Sequence, residues 1–144
     1  MESIKQAIYK ADKGSSLSLK FYANPIWAGF PSPAEDHMDI ELDLNEHLVK
    51  HPSATFYVYA KGSSMIDAGI YDGDIMVVDR SLEPSSRDVV IVVINGDFTV
   101  KRIFKKDGNI YLNPANKEYN SILVTEGMDF QIWGVVIHTI HSFK

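Results

Sequence analysis

Apolar and polar residues alternate in short stretches along most of this chain, which is the period of a strand with one covered face rather than that of a helix. From Ala54 to Ala60 the alternation opposes Phe56 and Val58 to Tyr57 and Tyr59, and it stops at the turn Gly62-Ser63-Ser64-Met65. Asp72-Gly73-Asp74 precedes a strand over Ile75 to Asp79, and the loop Glu83-Pro84-Ser85-Ser86 precedes another over Asp88 to Ile94. Asn95-Gly96 is a tight hairpin signal leading into Asp97 to Phe104. Lys105-Lys106-Asp107-Gly108 then leads to Asn109 to Asn113, and Phe130 to Ile140 supplies the last strand. Five to seven short strands separated by turns predict a mostly β fold, a small antiparallel sheet or partial barrel. The helical signal is brief: Asp43 with Glu46 resembles a capping box opening a helix through Val49, which Pro52 closes.

Ahead of this body, residues 1 to 36 hold Gly14-Ser15-Ser16, Asn24-Pro25, Gly29 and Pro31-Ser32-Pro33 with no sustained period. An extended, mobile and accessible N-terminal arm is expected. Charge divides at the same place. Residues 1 to 28 carry Lys5, Lys10, Lys13 and Lys20 against Glu2 and Asp12, a net of +2, so that with −5 overall the rest holds −7. An acidic body repels a phosphate backbone, so direct DNA binding by residues 29 to 144 is not expected despite Lys101-Arg102 and Lys105-Lys106.

At 144 residues and 45% hydrophobic, the chain is long enough for one domain with its own core. The run Val89 to Ile94 is six residues, far short of the roughly 20 a membrane span needs, and Ile4 to Lys10 is too polar for a secretory core. A cytoplasmic protein without a membrane segment is expected. Zero cysteines exclude disulfides and a thiol nucleophile, leaving His, Asp and Glu as strong metal ligands. His47 and His51 stand at i, i+4 spacing without an accompanying ligand pattern, and Asp67, Asp72, Asp74 and Asp79 lack the terminal glutamate of a calcium loop. No metal and no cofactor are expected.

The candidate chemistry lies in Ser64 and Lys101, 37 residues apart. A serine hydroxyl is a poor nucleophile until a base takes its proton, and a lysine serves as that base once burial has lowered its pKa. Each unit by which a lysine pKa falls costs its ammonium form about 1.4 kcal/mol, and desolvation is the largest source of such a fall. The pattern by itself points elsewhere. Alternation sets Phe98, Val100, Arg102 and Phe104 on one face and Thr99, Lys101 and Ile103 on the other, and covering the first face leaves Lys101 in solvent. The Gly-Ser-Ser-Met segment read alone is simply a turn, so the residues leave both readings open.

A family resemblance separates them. Pro52-Ser53-Ala54-Thr55-Phe56-Tyr57-Val58, then Gly62-Ser63-Ser64-Met65-Ile66-Asp67-Ala68-Gly69-Ile70 and Asp72-Gly73-Asp74, closely resemble the UmuD proteins, which belong with the LexA-like self-cleaving serine proteases. Gly96-Asp97-Phe98-Thr99-Val100-Lys101-Arg102 resembles the segment bearing that family's lysine, and Gly134-Val135-Val136-Ile137-His138 its closing strand. The resemblance implies that Ser64 is the nucleophile, Lys101 the general base, and Ala28-Gly29, ahead of Phe30-Pro31-Ser32-Pro33, the scissile bond. Ala28 stands where some UmuD proteins carry cysteine, and Ser63 replaces the commoner acidic residue. The resemblance further implies a homodimer of the SOS response whose arm, residues 1–28, is removed when a RecA filament stimulates self-cleavage. The shortened chain, residues 29–144, would then join a Y-family polymerase subunit in translesion synthesis. The alternative is a LexA-like or phage-type repressor, which needs a helix-turn-helix module that 28 residues are too few to form. A noncatalytic polymerase-binding module carrying an idle Ser64 and Lys101 is a third.

Overall fold

The structure is a computed structural model that describes residues 8–11, 17–21, 26, 28, 29 and 40–144. These fall into two compact units, residues 12–50, and residues 1–11 together with 51–144.

The larger unit is an antiparallel sheet of eight strands. They are β1 (Ile8–Lys10), β4 (Thr55–Tyr59), β5 (Ile75–Asp79), β6 (Val89–Ile94), β7 (Asp97–Lys106), β8 (Asn109–Asn113), β9 (Ile122–Leu123) and β10 (Phe130–Ile140). Across the sheet they run β1-β4-β5-β10-β6-β7-β8-β9. The smaller unit pairs β2 (Ser18–Phe21) with β3 (Ile40–Asp43) and continues into the helix α1 (Leu44–Leu48). The mostly β, antiparallel expectation therefore holds.

Strand β6 sits between β10 and β7, and its six apolar residues cover both faces of the sheet. Ile91 joins Val58, Met76 and Val78 in one apolar cluster, while Val90 and Val92 join Ile103, Leu112 and Val135 in a second. Each fully buried side chain of this size contributes roughly 1.5–3 kcal/mol, so a core on each face holds the middle strands firmly. The hairpins form where the chain permits a left-handed turn. Asn95 and Gly96 have φ of 49° and 87°, and Asp107 and Gly108 have 52° and 77°, the conformation of a two-residue turn matched to strand twist.

Three expectations are corrected. The arm is not devoid of regular structure: β1 pairs with β4, Ile8 opposite Val58 and Lys10 opposite Phe56, and β2 pairs with β3. Edge strands this short are held by main-chain hydrogen bonds and need no hydrophobic period, which is why the pattern concealed them, and β9 with them. The main sheet thus has eight strands rather than five to seven. Asp43 does cap the helix, accepting from the Asn45 N–H at 3.0 Å, but the helix ends at Leu48, one residue short of the expected Val49, which is its buried cap.

The third correction concerns Lys101. Its partner across the ladder is Val90, so it shares a face with Val90 and Ile103 and with the second apolar cluster. Residues Phe98 and Val100 pack against the first cluster, so both faces of β7 are covered and the lysine is only 8% exposed. Alternation identifies a solvent face only where one face is bare, and this strand has none.

Candidate active site

Ser64 stands in a turn built immediately past the end of β4. Ala60 is tied to the loop ahead of β5 by two main-chain bonds, from its N–H to the Asp74 carbonyl and from the Gly73 N–H to its own, both 2.8 Å. Gly62 takes a φ of +90°, which a side chain would resist, and donates its N–H to the Asp72 carboxylate at 2.7 Å. The Ser63 carbonyl then accepts from the Ile66 N–H at 3.2 Å, closing a four-residue turn with Ser64 and Met65 inside. Met65 anchors it by burying its side chain in the first apolar cluster. Turn chemistry and one apolar anchor thus hold the hydroxyl in place, itself half-buried.

Lys101 reaches this turn from the middle of β7. Its Nζ lies 3.5 Å from Ser64 Oγ, 3.0 Å from Thr99 Oγ1 and 3.1 Å from the Val100 carbonyl. Three acceptors match the three hydrogens of an ammonium, yet among the described residues no carboxylate pairs with it. Burial therefore acts unopposed and holds the Lys101 amine below the usual lysine range. Once neutral, the amine can give its two hydrogens to Thr99 and Val100 and turn its lone pair toward Ser64.

Residues that the sequence did not mark hold the same turn from the β8–β9 connection. Ala115 donates its N–H to the Ser64 carbonyl at 2.8 Å, and its own carbonyl accepts from the Asp67 N–H at 2.7 Å. Asn116 donates Nδ2 to the Ser63 carbonyl at 2.7 Å, and the Tyr119 and Ser63 hydroxyls lie 3.3 Å apart. Asn113-Pro114-Ala115-Asn116 carries a turn signal, but nothing in it says which distant segment the turn meets.

Two buried carboxylates have other work. Asp79 is pushed up by burial, but hydrogen bonds from the Ser81 hydroxyl and N–H, and from His51 at 2.6 Å, outweigh that and hold it below the ordinary value. Asp74 is likewise raised by burial and lowered further by the Tyr71 N–H, His141 at 2.5 Å and Thr139. His51 and His141 are thus each bonded to an aspartate, and the side chain bonded to Ser64 Oγ is Lys101. Among the described residues no group of three or more His, Asp or Glu could hold a metal ion, and no helix is long and apolar enough to cross a membrane.

Ala28 and Gly29 are both exposed and lie in a bend of the smaller unit. The residues that follow them, Phe30 to Pro33, lie outside the described residues.

A family model described as Peptidase S24-like matches residues 20–137. Protein MucA of Salmonella typhimurium is 41% identical over 139 residues, 95% of this chain and 94% of its own length. Protein SamA of Salmonella typhimurium is 46% identical over 117 residues, 81% of each chain. The LexA repressor of Clostridium perfringens is 35% identical over 101 residues, 70% of this chain but half of its own length. The UmuD-like character read from the motifs stands.

Proposed function

Because the chain belongs to the Peptidase S24-like family, in its UmuD-like branch, we propose that it is a self-cleaving serine protease acting through Ser64 and Lys101 on its own Ala28-Gly29 bond. The single observation supporting this most strongly is the 3.5 Å approach of a buried lysine, without a carboxylate partner among the described residues, to a serine held in a bound turn.

In this reading neutral Lys101 takes the Ser64 proton as Oγ attacks the Ala28 carbonyl carbon. The resulting ammonium protonates the Gly29 nitrogen as the C–N bond breaks, leaving residues 1–28 as an ester on Ser64. Water, deprotonated by Lys101, hydrolyses that ester and restores the serine. The protein is its own substrate, so the rate depends on how often an Ala28-Gly29 bond, of the same chain or of the partner in the dimer, is aligned with Ser64. A partner that favours the aligned state acts as a switch. By the family likeness that partner is a RecA filament on single-stranded DNA, and the product, residues 29–144, acts as a dimer with a Y-family polymerase subunit in error-prone translesion synthesis.

The test is direct. Purified full chain, incubated at alkaline pH and separately with activated RecA, should yield masses that place the cut after Ala28. Ser64→Ala and Lys101→Ala should each lose cutting by at least about 10³-fold while retaining the sheet's circular dichroism. Persistent cutting at that bond in either variant removes the assignment.

A further inference from the structure

Resting on the serine-protease reading, we propose that Asn116 is a positioning residue for the reaction, aiming the N–H of Ser64 at the oxygen that becomes negative when the ester forms. Asn116 Nδ2 donates to the Ser63 carbonyl at 2.7 Å, shorter than the 3.2 Å turn-closing bond to the same oxygen. Its Oδ1 accepts from the Glu118 N–H at 3.0 Å, which fixes the orientation of the side-chain amide, since a flipped group would set oxygen against oxygen.

A peptide unit is planar and trans, so its C=O and N–H point in opposite directions. By holding the Ser63 carbonyl, Asn116 therefore fixes where the Ser64 N–H points. The main chain does the same one residue on, where the Ala115 N–H holds the Ser64 carbonyl at 2.8 Å and so orients the Met65 N–H. Ser64 and Met65 are the inner residues of the four-residue turn, whose closing bond uses neither of their amides, and among the described residues neither N–H has an acceptor. Two adjacent, rigidly oriented and unspent N–H groups flank the nucleophile. Donors preorganised where negative charge develops are among the strongest accelerators of acyl transfer, and a misaimed donor loses most of that benefit. Of the two bonds from this loop to the Ser63 and Ser64 carbonyls, the one from Asn116 comes from a side chain.

The experiment compares self-cleavage of the full chain from pH 7 to 10 for wild type, Asn116→Ala, Asn116→Asp and Asn116→Gln. Deleting an oxyanion donor costs roughly 10²- to 10³-fold, so misaiming one should lower the high-pH plateau by about 10- to 100-fold. The aspartate variant, which sets a carboxylate against the Ser63 carbonyl, should lose most, and glutamine should recover part. The pH midpoint should not move in the alanine and glutamine variants, which add no charge and remove no contact with Lys101. In uncut Ser64→Ala protein, a through-hydrogen-bond NMR coupling between Asn116 Nδ2 and the Ser63 carbonyl carbon should be visible, whether or not the variants fold. A wild-type plateau in the alanine and aspartate variants, a moved midpoint in the alanine variant, or absence of the coupling overturns the role of Asn116 while leaving Ser64 and Lys101 in place. No cutting by wild type, or cutting by Ser64→Ala, overturns the protease reading and this inference with it.

Discussion

Replacing Thr99 by valine tests how the fold tunes its lysine. The hydroxyl accepts from Lys101 Nζ at 3.0 Å, and valine keeps the shape of the side chain while removing that acceptor. A hydrogen bond to a charged group is worth about 1.5–3 kcal/mol net and one to a neutral group about 0.5–1.5, so the ammonium loses about 1–1.5 kcal/mol more than the amine. At about 1.4 kcal/mol per pH unit, the midpoint of the pH–rate curve should move to lower pH by about one unit. The sign follows from burial, which already lowers the Lys101 pKa; losing an acceptor lowers it further. The plateau should also fall, by about 10-fold, because the neutral amine keeps one anchor instead of two. Below the midpoint the neutral fraction changes tenfold per pH unit, so the two effects nearly cancel there. The variant should match wild type on the acid limb and trail it on the alkaline plateau. The assay follows the uncut fraction by mass spectrometry from pH 6 to 11, with circular dichroism confirming the fold at each point. An unmoved midpoint, or one moved to higher pH, refutes the claim that Thr99 stabilises the charged lysine.

Two further outcomes follow from the packing. Asp79→Asn should lower stability by about 1–3 kcal/mol at pH 7, because Ser81 and His51 lose a charged acceptor. The folded pKa of Asp79 is depressed, so its contribution is complete above the unfolded value of about 3.9 and fades as pH falls through the folded one; urea melts should show the gap narrowing in acid. Gly134→Ala would set a methyl 2.6 Å from Val78 Cγ1 and 3.2 Å from Arg80 Cγ, and with Val78 fully buried it should cost about 1–3 kcal/mol in thermal melts, the opposite of the usual gain from replacing glycine.

Much of the fold was legible in local chemistry. Asn95-Gly96 and Asp107-Gly108 can turn left-handed almost anywhere, so the two hairpins around β7 follow from a few residues each. The strand Phe130–Ile140 lies where its pattern puts it. The serine turn was legible as a turn, and the 37-residue spacing to Lys101 gained meaning through family likeness. Strand β1 left no signal, because an edge strand of three residues is held by a backbone that every sequence shares.

Tertiary structure alone decided the rest. The same alternation that ordered β7 pointed Lys101 toward solvent, since one strand's period says that its faces differ and not which of them other chain segments will cover. Burial of that face by β6, β8 and their neighbours turned an ordinary strand lysine into one whose charge is disfavoured. The approach of Asn116 to Ser63, 53 residues away, is likewise a product of strand order, and no local pattern encodes a contact of that separation. Sequence determined which residues could turn, pair and react; packing decided which of them meet without water, and desolvation by packing is what makes a lysine a base.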